Sequence, residues 1–159
     1  GKRGEAADFA RMHLGSNLER MVRSSTKPIF VASRTYKPIK RIMIAYDGHA
    51  TARKAVESVG TNPLFNGMEV KLLMVGEDTE AARSTLDEPT KLLENVGLSV
   101  SSELVPGEAV EVISARASSD TFDMLVMGAY GGGRLRSMFI GSTTTEMLVS
   151  CRVPVLLFR

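Results

Sequence analysis

The chain runs Phe122-Asp123-Met124-Leu125-Val126-Met127-Gly128-Ala129-Tyr130-Gly131 and, nine residues later, resumes as Gly141-Ser142-Thr143-Thr144. Apolar character is nearly continuous from Phe122 to Met127, as in a strand covered on both faces. A glycine-rich loop follows, then a helical stretch over Gly141–Cys151, then a second apolar strand at Val153–Phe158. Strand, loop, helix and strand in that order make one crossover unit of a parallel sheet.

Working upstream, the same alternation repeats. Arg41–Tyr46 reads as a strand leaving through Asp47-Gly48, and Ala50–Val59 as a helix with Ala52, Ala55, Val56 and Val59 on one face, closed by Gly60. Met68–Val75 is a second strand. Thr79–Val96 is helical, with Pro89 expected to break it into an irregular start and a firm helix beyond. Leu98, Val100, Ser102 and Leu104 alternate as a third strand with a less protected face, and Glu108–Ser118 is a helix carrying Val110, Ile113 and Ala117 on one side. The expectation is an α/β fold: a five-stranded, mainly parallel, doubly wound sheet of order 3-2-1-4-5. In that order the first and fourth strands are neighbours, and their carboxyl ends, at Asp47 and Gly128, open a ligand crevice.

Part of the chain occurs twice. Gly15-Ser16 through Met21-Val22 aligns with Gly141-Ser142 through Met147-Leu148, and Pro28-Ile29-Phe30-Val31 with Pro154-Val155-Leu156-Leu157 at the same offset. Gly1-Lys2-Arg3-Gly4 falls on Gly128-Ala129-Tyr130-Gly131 after a one-residue slip. Residues 1–38 are therefore expected to be the C-terminal remnant of a preceding domain plus a linker at Thr35–Pro38, and residues 39–159 a complete domain.

Composition narrows the function classes. Hydrophobic residues make up 43% and charged residues 24%, enough for a packed core, and no eighteen-residue apolar run offers a membrane span. The single cysteine, Cys151, cannot form an internal disulfide, which fits a cytoplasmic setting, and its place on an amphipathic helix favours burial over reactivity. Residues 1–38 hold eight Lys/Arg against three Asp/Glu, whereas 39–159 hold twelve against fifteen. No aromatic residues interleave with the basic ones, which argues for a solvated face and against nucleic acid. His13 and His49 lack partners at ligand spacing, so no metal site is expected.

The glycine loop suits an anion. Gly128 and Gly131 permit positive φ and close backbone approach, and Gly141-Ser142-Thr143 opens a helix whose free N–H groups and dipole favour phosphate. The hydroxyls of Ser142, Thr143 and Thr144 could add donors. The segment is neither a Walker loop nor a dinucleotide fingerprint. Arg134 and Arg136 could close over phosphates or stay solvated. Asp47 could bond a ribose or help hold Mg²⁺, or simply make the Asp-Gly turn. No triad and no acid–base carboxylate pair stands out, so binding is expected rather than efficient turnover.

Gly128-x-x-Gly131, nine residues, then Gly141-Ser142, together with Tyr46-Asp47-Gly48 and Pro154-Val155-Leu156-Leu157, resembles the ATP-binding universal stress proteins, including their tandem members. The resemblance covers Ile39–Arg159 and implies an adenine nucleotide α-hydrolase-like fold. It implies ATP, or AMP or ADP, as ligand, with Mg²⁺ carried by the phosphates. Ala45 and Tyr46 would line the base, Asp47 would lie by the adenosine, and Val75 would pack on adenine. Met127, Gly128, Tyr130, Gly131, Gly141, Ser142, Thr143 and Thr144 would complete the nucleotide site. It implies a nucleotide-dependent stress sensor or regulator. The alternatives are a dimerisation adaptor that binds no nucleotide, or a weak ATPase. It also implies pairing through the last strand, so Pro28–Ser33 should lie antiparallel to Val153, Val155 and Leu157, within one chain or across a homodimer. His49 departs from the serine usual after Asp-Gly, and ten residues, not nine, separate Gly4 from Gly15.

Overall fold

In the computed structural model of the chain, residues 20–21, 24–33, 35–119, 121–129 and 151–159 are described. Strand β1 spans Ile29–Val31 and β2 Arg41–Ala45; helix α1 follows at Ala50–Thr61. Strand β3 is Glu69–Val75, α2 Glu80–Asn95, β4 Ser99–Val105, α3 Ala109–Ser118, β5 Met124–Gly128 and β6 Val155–Phe158. The expected helix over Gly141–Cys151 falls almost wholly outside the described residues.

The sheet order is β1-β6-β5-β2-β3-β4, with every pair parallel except β1 against β6. Six strands therefore stand where five were expected. Read inward from β4, the parallel five follow the 3-2-1-4-5 order, and the sixth is β1, laid antiparallel on β6 in the register Ile29↔Leu157, Phe30↔Leu156, Val31↔Val155. The physical reason is edge coverage: β1 takes up the hydrogen-bonding groups that β6 would otherwise present bare.

Period-two alternation along the inner strands divides the core by face. Ile42, Ile44, Val70, Leu72, Met124 and Val126 meet α1 and α2, including Ala52, Val56, Val59, Leu86 and Leu93. Met43, Ala45, Leu73, Leu125, Met127 and Leu157 meet α3 through Ile113 and Ala117. Strand β4 forms the far edge and has no fully buried residue. Glu103 ties that edge to its neighbours, with Lys71 Nζ of β3 at 2.6 Å and Arg116 of α3 at 2.5 Å. No helix among the described residues is long and apolar enough to cross a membrane.

Two local expectations are corrected. Pro89 does not break the helix: α2 runs unbroken past it, capped by Thr79, whose Oγ1 accepts from the Ala82 N–H at 3.1 Å. Pro89 lies on the buried face with Leu86 and Leu93, so packing against the sheet offsets part of the cost of the missing hydrogen bond. Gly60 does not close α1 either, since the helix continues to Thr61. A Cβ at position 60 would stand 3.0 Å from Leu92 Cδ2, so the glycine allows α1 and α2 to approach closely.

Candidate functional site

Strand β2 is the turning point of the sheet. Ala45, its last residue, lies between Leu73 of β3 and Met127 of β5. The chain leaves β2 into α1 on one face, whereas the helix reached from β4, α3, packs on the other. A cleft of about 380 Å³ opens beside the carboxyl ends of β2 and β3. Such a place is where doubly wound sheets hold ligands, and the volume lies within the range of small-molecule sites.

The floor is apolar: Ala45, Leu73, Met74 and Val75 come from the strands, and Ala109 and Ile113 from α3. Val75 is held at its place because the Gly76 N–H donates to the Val105 carbonyl at 2.9 Å, extending the ladder beyond it. The polar lip belongs to the turn after β2. Gly48 takes a φ of +76°, a region that favours glycine, and this bends the chain so that Asp47 and His49 face one another. The His49 N–H donates to Asp47 Oδ1 at 3.0 Å, and His49 Nδ1 lies 3.0 Å from the Asp47 carbonyl and 3.4 Å from Oδ2. Glu77 and Thr79 stand across the opening, the second already committed to capping α2.

The residues named from sequence fall into three groups. Ala45, Tyr46, Asp47 and Val75 come together around the cleft. The main chain of Tyr46 is anchored by its N–H to the Leu73 carbonyl at 2.8 Å, and its ring packs in the α1–α2 core. Burial pushes the phenol above its ordinary pKa, and a hydrogen bond from Arg53 opposes that rise. Met127 and Gly128 sit one strand away. Met127 is fully buried in the α3-side core and is not among the residues lining the cleft. Gly128 is paired with Phe158 and lies against the first turn of α1, where an added Cβ would meet Thr51 and the Ala52 nitrogen. It is absent from the glycines of positive φ, so close approach, and not conformational freedom, requires it there. Tyr130, Gly131, Gly141, Ser142, Thr143 and Thr144 lie outside the described residues, as do Arg134 and Arg136.

Reading by sequence passed over Glu77, Thr79, Thr85 and Ala109, which reach the cleft only because of how α2 and α3 lie on the sheet. It gave His49 no site role, although the signal was present: the residue sits two positions beyond Asp47 on the same turn. Cys151 is half-buried, and burial raises its thiol pKa, as expected of an unreactive cysteine.

A mainly parallel, doubly wound sheet, with an apolar cleft beside the ends of β2 and β3 and an acidic turn on its lip, defines the class as a doubly wound α/β domain. Residues 38–159 match the profile of the universal stress protein family, and the chain belongs to that family. It is 37% identical to universal stress protein Slr1230 of Synechocystis sp. over 161 aligned positions, covering 100% of this chain and 56% of that protein. The chain thus spans about half the length of that relative. A universal stress protein from Archaeoglobus fulgidus superposes with a TM-score of 0.68 at 22% identity, covering 89% of this chain and 52% of the other. A universal stress protein solved in complex with cAMP superposes at 0.58 and 16% identity, covering 77% of this chain and 98% of the other.

Proposed function

We propose that the chain binds an adenine nucleotide, ATP foremost and AMP or ADP as alternatives, and acts in the cytoplasm as a nucleotide-dependent sensor or regulator of the stress response. The observation that carries this reading is the cleft: an apolar floor between β2, β3 and α3, with the Asp47 carboxylate on its lip. A flat heteroaromatic base suits that floor, and a ribose hydroxyl suits Asp47 Oδ2, because Oδ1 is already taken by the His49 N–H. The sequence from Gly128 to Thr144 supports the rest of the reading. Its glycines and its Ser142, Thr143 and Thr144 hydroxyls are the groups a polyphosphate needs, and Mg²⁺ would be carried on the phosphates. The occurrence of cAMP with a protein of this fold supports an adenine nucleotide as the ligand class.

Binding is favoured over hydrolysis. Among the described cleft residues the carboxylates are Asp47 and Glu77, and Asp47 Oδ1 already accepts the His49 N–H. The test is direct. Mild extraction of the purified chain followed by mass spectrometry should release an adenine nucleotide, or MgATP should raise the melting temperature of nucleotide-free protein. Asp47→Ala should remove most of that rise. No nucleotide in the extract, together with no thermal shift, would overturn the reading.

A further inference from the structure

The turn that carries Asp47 holds a second group whose chemistry the geometry settles. His49 Nδ1 lies 3.0 Å from the main-chain carbonyl of Asp47. A carbonyl has no hydrogen to give, so Nδ1 must be the donor, and the neutral ring is fixed as the Nδ1–H tautomer. Its other nitrogen, Nε2, is then an acceptor. The ring is 42% exposed, lines the cleft, and among the described residues makes no hydrogen bond through Nε2.

Asp47 Oδ2 is a second acceptor on the same turn. Oδ1 takes the His49 N–H, whereas Oδ2 stands 3.4 Å from Nδ1, close enough for charge attraction but longer than a good hydrogen bond. The turn is braced from behind, because an atom added at Gly48 would come within 3.0 Å of Thr85 Cγ2 of α2. Among the described residues, the charged side chains lining the cleft are the carboxylates of Asp47 and Glu77. The Asp47 carboxylate on this turn suits uncharged donors. Two acceptors carried on one turn can each take one hydroxyl of a vicinal diol.

We infer that His49 Nε2 and Asp47 Oδ2 together read the ribose diol, and that His49 makes this site specific for an intact diol over a sugar lacking one of its hydroxyls. The inference rests on the nucleotide reading above and adds a specificity-determining residue to it. Asparagine and glutamine separate the two ring nitrogens. His49→Asn can keep a donor where Nδ1 stands but puts nothing at Nε2; His49→Gln does the reverse.

The experiment is calorimetric titration of the full chain with ATP, 2′-deoxy-ATP and 3′-deoxy-ATP. Wild type should bind ATP about five- to tenfold more tightly than at least one deoxy analogue, the value of one hydrogen bond. His49→Asn should bind ATP weaker by the same factor and lose the preference, with affinity for that deoxy analogue unchanged. His49→Gln should retain most of the preference. A wild type without sugar preference, or a His49→Asn protein that keeps it, overturns the inference while leaving nucleotide binding standing. Loss of preference in both variants assigns the effect to the turn, and also overturns the contact. A wild type that binds none of the three takes the nucleotide reading down as well.

Discussion

Gly128→Ala isolates what the end of β5 needs. The backbone there does not take a positive φ, so alanine suits its conformation. Space is the obstacle. The new Cβ would stand 2.5 Å from Thr51 Oγ1, 2.9 Å from the Ala52 nitrogen and 3.0 Å from the Thr51 carbonyl carbon. The hydroxyl can rotate away, but the two main-chain atoms move only if the first turn of α1 lifts. Ordinary contact begins near 3.4 Å, so that lift is a few tenths of an ångström. Helix α1 resists it because Ala52, Ala55, Val56 and Val59 are all buried against the sheet. Overpacking of this kind costs about 1–3 kcal/mol. For a chain of this size a central value of about 2 kcal/mol lowers the melting temperature by about 4–8 °C. Urea unfolding of nucleotide-free protein should show a lower midpoint with an unchanged slope. Adding Thr51→Ala removes only the hydroxyl contact, so the double variant should recover less than half of the loss. A wild-type midpoint for Gly128→Ala, or full recovery in the double variant, would refute the reasoning.

Two further outcomes follow from side chains away from the cleft. Asp123 Oδ2 accepts the N–H groups of Lys40 and Arg41 at 3.1 and 2.9 Å, and Oδ1 accepts from the Arg41 guanidinium at 2.9 Å. The Arg41 hydrogen bond holds this carboxyl below its ordinary pKa, so its stabilisation is present above the unfolded value of about 3.9 and is lost as pH falls through the folded one. Asp123→Asn should therefore cost about 1–3 kcal/mol at neutral pH, with the gap to wild type closing in strong acid; a gap independent of pH in urea titrations would contradict this. Pro89→Ala should raise stability by about 1 kcal/mol, because the new N–H can meet the Thr85 carbonyl and an interior proline costs more than its ring recovers by burial. A lower melting temperature for that variant would show that ring packing dominates.

The parallel core was legible because its strands are compact apolar runs separated by helical spacing, and because Phe122–Met127 is apolar enough to demand cover on both faces. Even the edge announced itself: the weak alternation from Leu98 to Leu104 corresponds to β4, where nothing is fully buried. The extra strand was legible through the internal repeat that set Pro28–Val31 beside Pro154–Leu157, and its antiparallel place on the last strand through the family resemblance. Pro89 and Gly60 misled because their local tendencies are stop signals, while their actual surroundings are tertiary. One is held by the core beside Leu86 and Leu93, the other faces Leu92 on the next helix. In the cleft, Asp47 and Val75 followed from being strand ends. Thr85 and Ala109 could not, since they depend on the placement of α2 and α3 over the sheet.

The pairing of β1 with β6 also sets an order of events during synthesis. Val31 faces Val155, so β1 leaves the ribosome 124 residues ahead of the strand that receives it. At roughly 5–20 residues per second, it waits about 6–25 s for its partner. Throughout that interval the strand Ile29, Phe30 and Val31 will pair with, β6, is still to be made, and the parallel strands beside it are still being made. Lys27 before β1 and Arg34 after it place a charge at each end of that strand. Charges so placed discourage pairing with a passing chain. The segment that closes one edge of the finished sheet is thus, for much of the chain's synthesis, the part most in need of gatekeeping.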